Sequence, residues 1–410
     1  VSGTRTNGTR TNDALLSAGW PLVCFAALGN FWGAWAALVP QMKAQVGATD
    51  GELGVALLFA GVGAIPMMLI TGRIWRRAGW WLLPAAGLFF ALTILGPIFA
   101  NTPLLLAVAL LFAGAGSGAL DVSMNAAISD VESARGQRLM FGAHALFSLG
   151  VLASAIATGF ARELGAQPVH ILGAVSLITA LVALGTVRSA RHAARVPAEV
   201  PVTTGSGSTQ AVYAIVILAA LCAAAFLVED AIQNWSALHL ERGLNASPAL
   251  GGAAPGVFAT AMFVGRSLGQ RLGALLSERA LLSGGAFVAS VGVAILAVAP
   301  TPAVGLCGLA LAGAGISTVA PALFARAGRM SDPASRGAAI ARVTALGYSG
   351  FIFGPALVGL LAQLTDLRTA IASLSLVALG VAIGGAYVMR GGGQSGTFEE
   401  GEELLTTARG

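Results

Sequence analysis

Only 10% of the 410 residues are charged, against the ~25% usual in a soluble globular domain, while 56% are hydrophobic. A soluble fold cannot be wetted on that composition. Cysteine is scarce as well: Cys24, Cys222 and Cys307 lie far apart inside apolar runs. Three is an odd number without metal-ligand spacing, which excludes a disulfide framework and a metal site and leaves buried free thiols as the expectation. No Walker-type or Rossmann glycine signature is present, so no nucleotide or other cofactor is expected. No nucleophile, base and orienting group converge, which argues against an enzyme. The formal charge of +5 raises nucleic acid as a partner, but the basic residues are spread singly through short loops, and that partner is excluded.

What the chain does have is a series of apolar runs. They fall near 16–39, 51–71, 81–100, 103–128, 139–161 and 169–187, then near 211–233, 249–271, 280–299, 303–325, 338–362 and 369–389. Each approaches the ~20 residues that cross ~30 Å of hydrocarbon. The fold class is therefore an all-α membrane protein of twelve transmembrane helices. The first run is longer than a signal peptide and lacks a small-residue cleavage site, so it reads as a retained helix. Residues 188–210 hold Arg188, Arg191, Arg195, two prolines and a Gly-Ser-Gly-Ser stretch, which is linker composition. Six-helix bundles over 14–187 and 211–390 follow, with polar, glycine-rich tails at 1–13 and 391–410 expected to be disordered.

Orientation comes from arginine and lysine. Eighteen of the 23 basic residues fall on the side shared by the N-terminus, the linker and the C-terminus. The opposite loops hold Lys43, Arg162, Arg242 and Arg368. Positive charge stays in the cytoplasm, so both termini and the linker are expected there, in a bacterial inner membrane.

The two halves repeat each other at an offset near 200 residues. Phe-Ala-Gly-Ala-Gly at 112–116 returns as Leu-Ala-Gly-Ala-Gly at 311–315, and His-Ala-Leu-Phe-Ser-Leu-Gly at 144–150 as Thr-Ala-Leu-Gly-Tyr-Ser-Gly at 344–350. Trp-Ala-Ala-Leu at 35–38 returns as Trp-Ser-Ala-Leu at 235–238, and the Gly-Arg pair at 72–73 returns at 265–266. Corresponding helices run in the same direction, as in two parallel repeats around a central cavity.

These features resemble the major facilitator superfamily from Leu15 to Met389. The family's loop after the second helix carries an acid four residues after a leading glycine; here Gly72 is followed at that distance by Arg76. The segment Gly-Ser-Gly-Ala-Leu-Asp-Val-Ser-Met-Asn at 116–125, with Arg138 and Leu139 beyond it, resembles the fucose permease branch. That resemblance implies a buried acid at Asp121, an amide at Asn125, and Arg138 opening a fifth helix that bears polar substrate contacts near His144. The branch's first-helix acid is absent, because Ala36 stands four residues before Pro40 and Gln41.

An ionised side chain at mid-membrane costs ~2.5–3.5 kcal/mol on insertion scales, so intramembrane acids are functional candidates. Asp121, His144, Glu229 and Asp230 are the proton-coupling candidates. Asp121 and Asn125, four residues apart, share a helical face. Asp121 and His144 could form a relay, and the repeat pairs Asp230 with Asn30. Adjacent on a helix, Glu229 and Asp230 point ~100° apart, so one of them is expected to face the cavity, with both toward the extracellular end. Candidate substrate contacts are Asn30, Trp32, Trp35, Asn125, Gln233, Asn234, Trp235 and Tyr348, the indoles as stacking platforms. Trp75, Trp80 and Trp81 fit the cytoplasmic aromatic belt, and Arg73, Arg76, Arg77, Arg138, Arg266 and Arg271 a cytoplasmic gate.

No arginine or lysine is expected in mid-cavity, so the reading is a proton-coupled secondary transporter, acting as a monomer on a neutral or cationic organic solute such as a sugar. Efflux of amphipathic cations is the alternative of the same class, and a non-transporting receptor or scaffold the alternative of another.

Overall fold

The computed structural model describes residues 6–135, 139–192, 209–272, 276–331 and 335–389, and among them every regular element is helical. The N-terminal half comprises α1 (Thr6–Val46), α2 (Asp50–Ala78), α3 (Leu82–Thr93), α4 (Pro103–Arg135), α5 (Met140–Glu163) and α6 (Pro168–His192). The C-terminal half comprises α7 (Thr209–Leu238), α8 (Pro248–Leu272), α9 (Gly285–Val298), α10 (Pro302–Ile316), α11 (Val319–Arg329), α12 (Arg336–Gly347), α13 (Ser349–Leu364) and α14 (Leu367–Val388). α1 begins inside the stretch 1–13 expected as a disordered tail, because its helical register runs on into polar residues. The expected linker core, 193–208, and the tail from 390 onward lie outside the described residues.

Among the described residues, eleven stretches are long and apolar enough to cross a membrane. One of them, Asp50–Phe99, is 50 residues long and holds two crossings, α2 and α3. They are separated at Gly79, whose φ of +56° suits glycine and turns the chain back. α10 and α11 are one crossing bent at Ser317–Thr318, and α12 and α13 one crossing interrupted at Tyr348. The count is thus twelve.

Helix starts are written locally. Pro103, Pro168, Pro248 and Pro302 open α4, α6, α8 and α10, where a missing N–H is harmless. Thr49 and Glu52 form a reciprocal capping box on α2, and Asp366 caps α14 through the N–H of Thr369 at 2.9 Å. Lys43 at the end of α1 pairs with Asp50 at the start of α2.

Within the N-terminal half α1 packs on α5 and α6, and α2 on α4; in the C-terminal half α7 packs on α12 and α13, and α9 on α10 and α14. The halves meet along two lines, α5 against α8 and α2 against α13. The repeat exchanges these lines, which is what parallel repeats related by an axis along the membrane normal require. Each line is closest at a glycine pair: Gly159 on Gly252, and Gly54 on Gly359. A Cβ on Gly359 would stand 2.8 Å from Gly54 Cα, so neither chain tolerates a side chain there.

Two sequence expectations change at the surface. Cys307 is exposed while Cys24 and Cys222 are buried, because an apolar run in a membrane helix faces lipid as well as protein. Trp75 and Trp80 are buried and only Trp81 is exposed; the Trp80 indole donates to Asp130 Oδ2 at 3.1 Å.

Candidate functional site

A cavity of about 260 Å³ lies between the halves. α1 and α5 contribute Trp32, Trp35, Ala36, Phe147, Ser148 and Val151. α7 contributes Glu229, Asp230, Gln233 and Asn234, and α8 adds Ala259, Met262 and Arg266, with Phe351 from α13.

α7 extends past the expected run end at 233 to Leu238 because Asn234, Trp235 and Ser236, though polar in part, are helical. Glu229 and Asp230 therefore lie ~12 Å inside the helix end rather than near it. Both line the cavity, which spans the ~100° between them. Asn234 donates its Nδ2 to Asp230 Oδ1 at 3.2 Å and to the Asp230 carbonyl at 2.9 Å. Asp230 has no basic partner among the described residues.

Glu229 pairs with Arg266 of α8, Nη2 to Oε1 at 3.4 Å. This corrects two expectations. Arg266 belongs to the cavity rather than to a peripheral gate, and the cavity does contain an arginine. Arg266 lies about a turn and a half inside the end of α8, and the packing of α8 beside α7 turns it onto Glu229, a contact that no local signal gives.

α4 repeats the Asp230–Asn234 device. Asn125 Nδ2 donates to Asp121 Oδ1 at 3.1 Å and to the Asp121 carbonyl at 2.9 Å. Asp121 sits at mid-helix, not in the cytoplasmic third, because α4 runs to Arg135. Asp121 and Asn125 are half-buried and are not cavity-lining. His144 is exposed and edges onto the Phe25 ring at 5.2 Å between centroids; no hydrogen bond joins it to Asp121 among the described residues.

The two tryptophans of the repeated segments part company. Trp35 is 1% exposed, lines the cavity, and its indole N–H has no hydrogen-bond partner among the described residues. Trp235 is fully buried away from the cavity, donating to the Pro355 carbonyl at 3.2 Å beneath the α13 contact. The Trp32 indole donates to Ser117 Oγ at 3.2 Å. Asn30 does not line the cavity and so does not mirror Asp230; its Nδ2 is buried without a partner. Tyr348, at the break between α12 and α13, packs on Phe226 and Phe351.

Arg73, Arg76 and Arg77 are exposed at the end of α2, and among the described residues Arg73 bonds to its own helix, at the Leu69 carbonyl. Arg138 and the side chain of Arg271 lie outside the described residues. The sequence reading missed the contacts at the opposite end, where α1, α5, α7 and α13 finish and α2 and α8 begin. There Arg162 of α5 forks onto Glu241, Nη1 to Oε1 at 2.6 Å and Nη2 to Oε2 at 2.9 Å, and Nη1 also reaches the Ala37 carbonyl at 2.7 Å. Both side chains are buried, at 7% and 13% exposure, and Glu241 sits on the π-helical turn His239–Gly243 that follows α7. Beside them Glu163 accepts the Ala249 N–H and the Ser247 hydroxyl, each at 3.0 Å. On the other line Gln363 accepts the Gly51 N–H at 2.9 Å. The one sequence signal was scarcity: positive charge is rare at that end, so each basic residue there had a reason.

A two-fold helical frame, a central cavity and buried acids are the parts of a solute carrier, and comparison with known proteins agrees. A family model, the Major Facilitator Superfamily, matches residues 22–327 and 218–409. An uncharacterized MFS-type transporter of Yersinia pestis is 33% identical over 372 residues, covering 90% of this chain and 94% of that one. The membrane protein MosC of Rhizobium meliloti is 29% identical over 371 residues, covering 88% and 86%. Among solved structures, the nucleoside transporter NupG superposes with a TM-score of 0.72 at 13% identity, over 92% of this chain and 100% of that one. With sequence, fold and cavity in agreement, the chain belongs to the Major Facilitator Superfamily and is a multi-pass transporter rather than an enzyme.

Proposed function

We propose that the protein is a proton-coupled secondary transporter that carries a small neutral or cationic organic solute, sugar-like in size, by alternating access of its two halves. The observation that carries this reading is the cavity itself. It lies between the repeats, holds Glu229, Asp230 and Arg266, and is shut at one end by contacts between the halves. Arg266 lines this interior yet has a side chain 49% exposed, which marks the opposite end as the open one. With the arginine-rich side in the cytoplasm of a bacterial cell, this is an inward-open monomer, with both termini inside.

Asp121 is the leading proton carrier. Its only hydrogen-bond partner among the described residues is an amide, with no cation beside it among them, so a proton can neutralise it in one conformation and leave in the other. Asp121 and Asn125 also occupy the places that the resemblance to the fucose permease branch assigns to an acid and an amide. Asp230, held by Asn234 in the same way, and Glu229, paired with Arg266, are the other acidic candidates; His144 would serve only as an exposed relay. Efflux of cations is the second reading, favoured by the absence of a basic partner for Asp230.

Proteoliposomes test the proposal. Asp121→Asn mimics the protonated acid and should abolish uptake driven by a pH gradient while leaving solute binding and counterflow. Normal proton-driven accumulation by that variant would remove Asp121 from the role, and wild-type protein that binds a solute without moving it would point to a receptor.

A further inference from the structure

At the end of the bundle opposite Arg162 and Glu241, α2 finishes in a cluster of positive charge. Arg73, Arg76 and Arg77 are spaced i, i+3, i+4, so they share one helical face, and all three are exposed. Trp75, buried between them, holds this last stretch of α2 against the bundle. None of the three arginines has an acidic partner among the described residues. The acids described at that end are engaged elsewhere. Asp130 accepts the Trp80 indole N–H at 3.1 Å, Glu132 accepts the Met140 N–H at 2.8 Å, and Glu278 pairs with Arg329.

The densest negative charge in the sequence lies beyond α14, outside the described residues. Glu399, Glu400, Glu402 and Glu403 place four of the chain's 18 acids within 399–403. Glu399, Glu402 and Glu403 repeat the i, i+3, i+4 spacing of the arginines with the opposite sign. α2 and α14 both begin at the end where Gln363 caps Gly51, so both finish on the same side. The departure point is fixed there, since Arg326 Nη2 of α11 donates to the Val388 carbonyl at 3.4 Å. Between it and the acids runs Gly-Gly-Gly-Gln-Ser-Gly at 391–396. For that composition, ten residues have an r.m.s. reach of about 16–19 Å. α14 packs on α13, and α13 on α2. Two interhelical spacings of 8–10 Å give ~16–20 Å, which matches that reach.

We propose that the acidic segment 399–403 docks on the Arg73, Arg76 and Arg77 face of α2, as an intramolecular clasp between the two halves. α14 belongs to the C-terminal half and α2 to the N-terminal half, so the docked segment resists their separation at this end. Anionic lipid headgroups are the competing source of negative charge. The segment is favoured because its tether holds it near millimolar effective concentration whatever the lipid, and because its charge spacing matches.

Chemical cross-linking on the purified full-length protein in neutral phosphatidylcholine nanodiscs tests this, with no solute required. Cys307, the exposed native thiol, is replaced by Ser. Cysteines are placed at exposed Ala78, next to Arg77, and at Gly401, amid the acids. A short bismaleimide should join them. A control pair, with Gly142→Cys at the exposed start of α5 in place of Ala78→Cys, should link far less. The Ala78–Gly401 link should be lost in 1 M salt, where the screening length falls to ~3 Å. It should also be lost when Glu399, Glu400, Glu402 and Glu403 are all changed to Gln, or when Arg73, Arg76 and Arg77 are. Changing the three arginines to Lys keeps the charge and should preserve it. The proposal is overturned if the link does not form, if the control pair links equally, or if either Gln variant links like the parent. Absence of the link, together with a rise in melting temperature on adding phosphatidylglycerol that the three arginine-to-Gln changes remove, would assign the arginines to lipid instead.

Discussion

The α5–α8 and α2–α13 lines share one plan and differ in charge. Each has a glycine pair, and in each the last turn of one helix caps the second backbone N–H of its neighbour: Glu163 on Ala249, Gln363 on Gly51. Among the described residues only the α5–α8 line adds a buried ion pair between the halves, Arg162–Glu241. The neutral line can part by exposing an amide and an N–H to water. The charged line can part only by separating a forked pair, so it acts as the latch and α2–α13 as the compliant side.

The largest effect should come from breaking that latch. Glu241→Ala leaves Arg162 buried without its partner, a change that typically costs about 3–5 kcal/mol. A cysteine replacing Ala36, a cavity-lining residue only 1% exposed, should then react with an impermeant maleimide added from the closed side. Unchanged labelling would mean that the pair holds nothing shut. Next, Gly252→Ala and Gly54→Ala place a Cβ 2.5 Å from Gly159 Cα and 2.9 Å from the Pro355 carbonyl oxygen, respectively. Overpacking of this kind costs about 1–3 kcal/mol, and both variants should lower the melting temperature and open the same end. A loss confined to one line would show that the glycine pairs are not equivalent. The smallest effect should come from Glu163→Gln, which turns the charged line's cap into a copy of the neutral one. It should cost about 1 kcal/mol or less, with Gln363→Glu shifting stability the opposite way. Equal shifts of the same sign would refute the comparison.

Hydropathy located every crossing near its place, because apolar runs and opening prolines are local signals. Helix ends were less legible: α2 runs to Ala78 and α4 to Arg135, past the points where hydropathy falls at 71 and 128. A helix keeps its own hydrogen bonds beyond the apolar layer, so polarity does not end it. That error carried Asp121 toward one end. The repeat located Trp35 and Trp235 at matching positions, but it could not say that one faces a cavity and the other a helix contact. Asn125 with Asp121, and Asn234 with Asp230, were within reach of spacing alone, since i and i+4 meet on a helix. Arg162 with Glu241 was not, for nothing local joins residues 79 positions apart.

Glu229, Asp230 and Arg266 all belong to the C-terminal half. When the halves rock, these groups travel together, so rocking alone neither makes nor breaks an ion pair among them. The membrane potential therefore cannot pull these three groups apart. Under the proposed coupling of one proton to a neutral solute, a full cycle would move one elementary charge across the field, and each 100 mV would add about 2.3 kcal/mol to the gradient that concentrates the solute.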